Sequence, residues 1–168
     1  RPVKWTDERS ESFLSDNQGR ASEFIADLAL DRDGKFLAVR LTGYGDSGAY
    51  PIGPAGGTTN AVKNIVGVYG TEMVEVSTQV VCTNKTPVGA YRGAGRPEAN
   101  YFMGRLVEIA ARELAIDPVV LRRRNLIPAA AIPYKTPTGL IYDSGDFPAV
   151  FDKALALADW DGFTARRE

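Results

Sequence analysis

The sequence predicts an α+β domain in which a twisted, mostly antiparallel sheet packs against helices. Three observations lead there. Residues 24–41 alternate apolar and polar side chains in two arms around an Asp33-Gly34 turn, the pattern of a β-hairpin. Residues 74–82 alternate again, over what reads as one further strand. From Pro97 the period becomes helical, with Ala99, Phe102, Met103, Leu106, Ile109, Ala110 and Leu114 on one stripe. Hairpin, helix, strand, long helix, short strands and helix follow one another in mixed order, unlike a repeating βαβ array.

Taken in order, "PVKWTD" reads as a short strand and "ERSESFLSDN" as one or two helical turns. In the hairpin, Phe24, Ala26, Leu28 and Leu30 share one side of the first arm, and Leu37, Val39 and Leu41 one side of the second. Residues 43–57, "GYGDSGAYPIGPAGG", read as a long Gly- and Pro-rich loop, a kind that is uncommon unless functional or mobile. "TTNAVKNIVGVY" predicts a helix capped by Thr58 or Thr59, with Val62, Ile65, Val66 and Tyr69 on one face. In "EMVEVSTQVVCTN", Val74, Val76, Thr78, Val80 and Cys82 fall on one side of a strand, Cys82 as a small buried apolar residue. On the long helix, Glu108 and Arg112 are spaced for an i,i+4 pair. "DPVVLRRRN" predicts a second, short helix with Asp117 as cap and Pro118 in the first position. "IPYKTPTGLIYDSG" predicts extended chain with a turn near Thr138-Gly139, and "DFPAVFDKALALADW" a third helix carrying Val150, Phe151, Ala154, Leu155 and Ala158.

Composition narrows the function. The 168 residues suffice for one domain, and a net charge of −1 provides no global basic field for nucleic acid or anionic membrane. No apolar run reaches the ~20 residues of a membrane span, so no membrane insertion is expected. No basic-then-apolar leader is visible. Cys82 is the single cysteine, which excludes an internal disulfide and points to an intracellular, cytoplasmic setting. There is no histidine, which removes His-based triads, Cys/His zinc sites and a histidine base. The first residue, Arg1, and the final "FTARRE", a helix in its first turns, suggest an excised piece of a longer polypeptide.

The segment "TPVGAYRGAGRPEANYF" carries the most chemistry. Arg92 and Arg96 bracket Gly93, Ala94 and Gly95, and Pro97 with Glu98 suits a helix start. One reading is a plain strand-to-helix turn whose arginines are solvated or paired with carboxylates. The other is an anion or cofactor site, in which backbone N–H groups approach a ligand and a guanidinium offers a planar fork of donors. The segment is neither a dinucleotide G-x-G-x-x-G nor a phosphate loop. Elsewhere, Arg122, Arg123 and Arg124 cannot share one helix face and read as solvated with one salt bridge. Asp46 in "GDSGAY" reads as a turn cap before a metal ligand or base. Tyr44, Tyr50, Tyr91 and Tyr101 read as packing residues before pocket walls.

"GAYRGAGRPEA" resembles the arginine-loop signature of the large, molybdenum-cofactor-binding subunit of the xanthine dehydrogenase, aldehyde oxidase and carbon monoxide dehydrogenase family. "RPVKWTDERSESFLSD", "DSGAY", "LRRRNLIP" and "YKTPTGLIYDSGDFP" resemble the same subunit in the same order, so the resemblance spans essentially the whole chain. It implies a molybdenum-cofactor-binding-domain-like fold over residues 1–168 as one part of a longer large subunit. It implies molybdopterin with molybdenum, often the cytosine dinucleotide form in bacteria, bound in the full-length protein and not by the fragment alone. It also implies iron–sulfur and FAD partner subunits and a small aldehyde or N-heterocycle as substrate. In this family the motif arginine approaches substrate and metal, a catalytic role that falls to Arg92. Gly93, Ala94, Gly95 and Arg96 are then cofactor-binding. No protein ligand to the metal is expected, because the pterin sulfurs hold it. In carbon monoxide oxidisers of the family a copper-holding cysteine follows this arginine; here the position is Gly93, which argues against that substrate. The family's "GGGFG" loop and its Gly-Glu base motif fall outside these residues. A different class of function, a non-catalytic module binding an anionic small molecule or a protein, is the alternative, since the chain shows no acid/base pair.

Overall fold

The structure, a computed structural model, describes residues 1–52 and 56–167. Residues 1–8 are exposed and belong to no helix or strand. "PVKWTD" is therefore not the strand its sequence suggests: among the described residues none pairs with it, and Val3 and Trp5 stand in solvent. Helix α1 (Arg9–Ser15) follows, its start fixed by the Glu11 carboxylate, which accepts from the Glu8 N–H at 3.0 Å.

The hairpin forms as its alternation dictates. Strand β1 (Ser22–Leu30) pairs antiparallel with β2 (Phe36–Asp46), from Ser22 opposite Gly45 to Leu30 opposite Phe36. At the turn the Asp31 carboxylate accepts from the N–H groups of Asp33 and Lys35, and Gly34 takes φ +79°. The register shifts between Ala29 and Leu30, so Leu37 is skipped and Phe36 becomes the fully buried residue of that end. Because β2 runs to Asp46, the first four residues of the expected 43–57 loop are strand. Helix α2 (Gly56–Lys63) begins before the two threonines, which therefore lie inside it and do not cap it. Residues 53–55 of that loop lie outside the described residues.

After α2, strand β3 (Met73–Val81) lies parallel to β2, from Ala38 opposite Met73 to Asp46 opposite Val81, giving the sheet order β1-β2-β3. Of its valines only Val74 and Val76 pack against the core. Val80 is about half exposed and Cys82, past the strand end, is exposed, which corrects its reading as a buried residue. Helix α3 (Arg96–Glu113) covers the sheet with Ala99, Met103, Val107, Ala110 and Ala111. Of these, Met103, Val107, Ala110 and Ala111 meet Phe36, Val39 and Leu41 of β2 and Ile65 and Val66 after α2 in one cluster. The buried stripe is turned from the expected one, taking in Val107 and Ala111 and leaving Ile109 and Leu114 exposed. Glu108 pairs with Arg122 at 2.6 Å and not with Arg112.

Helix α4 (Pro118–Asn125) is capped as expected, the Asp117 carboxylate accepting from Val119 N at 2.7 Å and Val120 N at 3.1 Å. A 3-10 turn (Ala129–Ala131) leads to the antiparallel pair β4 (Tyr134–Lys135) and β5 (Ile141–Tyr142), so among the described residues two of the three strand pairings are antiparallel. Helix α5 (Phe147–Leu157) leans Phe147 and Phe151 on the core and leaves Val150 and Leu157 exposed; α6 (Phe163–Arg167) follows. Among the described residues no helix is long and apolar enough to cross a membrane.

A single polar side chain ties the hairpin to α4. Asn125, 5% exposed, accepts from Phe36 N at 2.8 Å and donates to the carbonyls of Gly34 at 2.8 Å and Leu121 at 2.9 Å. Replacing Asn125 with Ala leaves these buried groups unpaired and is expected to cost about 3 kcal/mol. Urea unfolding checks it through a lower midpoint at unchanged slope.

Candidate functional site

The arginine segment is a tight turn that opens α3 directly. Ala94 N donates to the Tyr91 carbonyl at 2.7 Å, and Arg96 N to the Gly93 carbonyl at 3.1 Å. Gly93, Ala94 and Gly95 all take positive φ, at 89°, 36° and 92°. Such backbone favours glycine and costs a side chain on the order of 1–3 kcal/mol. Space makes the same demand. A Cβ on Gly95 would lie 2.0 Å from the Gly57 carbonyl oxygen and 2.6 Å from Ala61 N, so α2 packs directly against the start of α3. A Cβ on Gly93 would meet the Pro97 ring at 2.8 Å.

The turn presents its two arginines differently. Arg92 and Gly93 stand exposed on its crest. Arg96, also exposed, lines a cavity of about 320 Å³ with Asn64, Asn100, Tyr142, Asp143 and Phe147. Among the described residues neither guanidinium is in an ion pair. The carboxylate on the first helical turn, Glu98, is instead paired with Arg20 at 2.9 Å. Arg20 also donates to the Arg92 carbonyl at 2.6 Å, and its guanidinium lies 5.0 Å from the centre of the Tyr91 ring. The sequence reading missed Arg20. No local pattern marks it, because its partners lie 72 and 78 residues away.

The other candidates resolve into structural roles. Asp46 accepts from Gly48 N and Thr83 Oγ1, both at 2.7 Å, so it is the turn cap of its loop. Its second oxygen makes no hydrogen bond, only an ion pair with Lys85 at 3.1 Å. The Thr83 hydroxyl first, then the Gly48 N–H and Lys85, hold the Asp46 carboxyl below the usual carboxylate range. Arg122 pairs with Glu108 and donates to the Tyr69 hydroxyl at 2.8 Å, while Arg123 pairs with Asp152. Tyr44 donates to Glu23, Tyr91 lies under Arg20, and Tyr50 and Tyr101 are exposed, so the four tyrosines wall no common pocket. Among the described residues no three His, Cys, Asp or Glu side chains gather as metal ligands.

The α+β scaffold thus carries a strained glycine turn at a helix start, and among the described residues neither of its two arginines is in an ion pair. The molybdopterin cofactor-binding domain family matches residues 1–126, and the chain belongs to that family. Over 165 residues it is 32% identical to the 6-hydroxypseudooxynicotine dehydrogenase complex subunit gamma of Paenarthrobacter nicotinovorans, covering 95% of this chain and 21% of that protein. It is 34% identical to the carbon monoxide dehydrogenase large chain of Afipia carboxidovorans, covering 99% and 21%. Among solved structures, quinoline 2-oxidoreductase from Pseudomonas putida 86 superposes with a TM-score of 0.91 at 31% identity, covering 99% of this chain and 22% of that one. The chain thus spans about a fifth of the length of these relatives. The residues present fit a pterin group. Gly93 leaves exposed backbone without a side chain, and the free forks of Arg92 and Arg96 suit pterin or phosphate oxygens.

Two outcomes test this geometry. Gly95→Ala is expected to destabilise the chain by about 2–4 kcal/mol, since strain and the clash with α2 act together; thermal unfolding measures it. The Asp46 carboxyl has a depressed folded pKa, so its contribution is present above the ordinary carboxylate range and lost as pH falls through and below it. Asp46→Asn is therefore expected to flatten the acid side of a Tm-against-pH curve.

Proposed function

We propose that this chain forms one wall of the active site of a molybdenum-dependent oxidoreductase, with Arg92 directed at the substrate and Gly93, Ala94, Gly95 and Arg96 beside molybdopterin. The observation that carries the reading is the exposed Arg92 guanidinium, in no ion pair among the described residues, on a turn whose backbone is fixed on both sides. When bound, the molybdenum–pterin group supplies the two-electron oxidation, with oxygen taken from water. The chain's own part is electrostatic. Arg92 offers a planar donor fork to a carbonyl oxygen or ring nitrogen as negative charge grows there, with no reorganisation of the turn. Arg96 and the exposed Gly93 backbone hold the cofactor's polar edge. The base and the remaining cofactor contacts belong to other segments of the same large subunit, and iron–sulfur and FAD subunits carry the electrons away.

The substrate is a small aldehyde or N-heterocycle. Gly93 occupies the position where a copper-holding cysteine stands in carbon monoxide oxidisers, and a side chain there would collide with Pro97. The pterin is the cytosine dinucleotide form usual in bacterial relatives, and the free, exposed Cys82 suits a reducing cytoplasm. The test is Arg92→Ala in the complete, cofactor-loaded enzyme. Molybdenum content is expected to hold, while kcat/KM for an aldehyde or N-heterocycle falls about 10²–10³-fold. An unchanged kcat/KM removes Arg92 from the chemistry.

A further inference from the structure

We propose that Arg20 is the positioning residue of the arginine loop, setting the direction in which Arg92 meets the substrate; this deepens the assignment of Arg92 above and rests on it. The segment before Arg20 is stitched to residues 87–89, which lead into the loop. Gln18 N donates to the Pro87 carbonyl at 2.9 Å, and Gly89 N to the Gln18 carbonyl at 2.8 Å. Gly19 lies against Tyr91, where a Cβ would come within 2.6 Å of the Tyr91 Cβ. Arg20 therefore arises at the foot of the loop and does not reach in from solvent. Its own backbone is left-handed, φ +59°, a conformation that strains a non-glycine residue and persists where surroundings impose it.

The guanidinium then spans the turn. One nitrogen donates to the Arg92 carbonyl at 2.6 Å, ahead of the glycines, and another to Glu98 at 2.9 Å, behind them. The Tyr91 ring supports its face at 5.0 Å. Both ends of the bend are thus held by one rigid fork, which a lysine cannot reproduce with a single compact charge. The same pairing engages Glu98, whose side chain is only 15% exposed. Without Arg20 this carboxylate is left next to a turn bearing two free arginines, and the nearest cations become its partners. Arg20 keeps Glu98 from capturing Arg92 or Arg96 and so leaves both free for ligand.

The experiment uses the complete, cofactor-loaded enzyme with an aldehyde substrate and compares Arg20→Ala, Arg20→Lys, Arg92→Ala and the Arg20→Ala/Arg92→Ala double variant. The expected result is full molybdenum content and a kcat lowered about tenfold to hundredfold in Arg20→Ala, with KM little changed. Arg20→Lys recovers little of it. The double variant is no slower than Arg92→Ala alone, because Arg20 acts through Arg92. Independently of turnover, hydrogen exchange of residues 91–98 is expected to quicken about tenfold in Arg20→Ala while other segments hold their rates. Normal rates in Arg20→Ala beside a slow Arg92→Ala overturn this proposal and leave Arg92 in place. Normal rates in Arg92→Ala overturn both. Losses that multiply in the double variant, or molybdenum lost from both Arg20 variants, make Arg20 a part of the general fold and overturn the proposal.

Discussion

Everything at this site depends on how closely α2 approaches the first turn of α3. Gly95 is buried against Gly57 and Ala61, and even one carbon atom added there would overlap the α2 backbone. That contact fixes where α3 begins. It is sustained from below by Met103 and Val107, which share one cluster with Val39, Leu41, Ile65 and Val66. Burying side chains of this kind contributes about 1.5–3 kcal/mol each for the larger ones, enough to hold a strained turn in place. The apolar face of one helix thereby sets the path of the five residues before it.

A plain strand-to-helix turn would leave Arg92 and Arg96 solvated or paired with carboxylates, and Glu98 is well placed for such a pair. Glu98 is engaged by Arg20, and the guanidiniums of Arg92 and Arg96 are in no ion pair among the described residues. Positive charge is kept uncompensated while negative charge beside it is neutralised. The chain belongs to the molybdopterin cofactor-binding domain family.

Much of this was legible in the sequence because the signals were local. The period-two arms of β1 and β2, the Asp117-Pro118 helix start and the small hairpin around Gly139 all follow from neighbouring residues. So did the fold class and the turn of small residues from Gly93 to Gly95 that opens α3. What escaped were effects of distant chain. The bulge that buries Phe36 in place of Leu37 arises from pairing with β1. The turn of the α3 stripe toward Val107 reflects what α3 packs on. Glu108 prefers Arg122 to its helical neighbour because α4 carries a guanidinium to it. Arg20 is the plainest case: "DNQGR" has no pattern that marks a partner 72 residues away. "PVKWTD" failed in the opposite way, having strand-like residues and no strand to join.

The central claim concerns where the Arg92 fork points. The most direct measurement is the structure of the complete subunit with its molybdenum–pterin group and a bound substrate analogue. The account predicts the Arg92 guanidinium within hydrogen-bonding reach of the analogue, with Arg20 still bridging the Arg92 carbonyl and Glu98. Finding the analogue and metal on another face of the domain, with Arg92 in solvent or paired with a carboxylate, would contradict it.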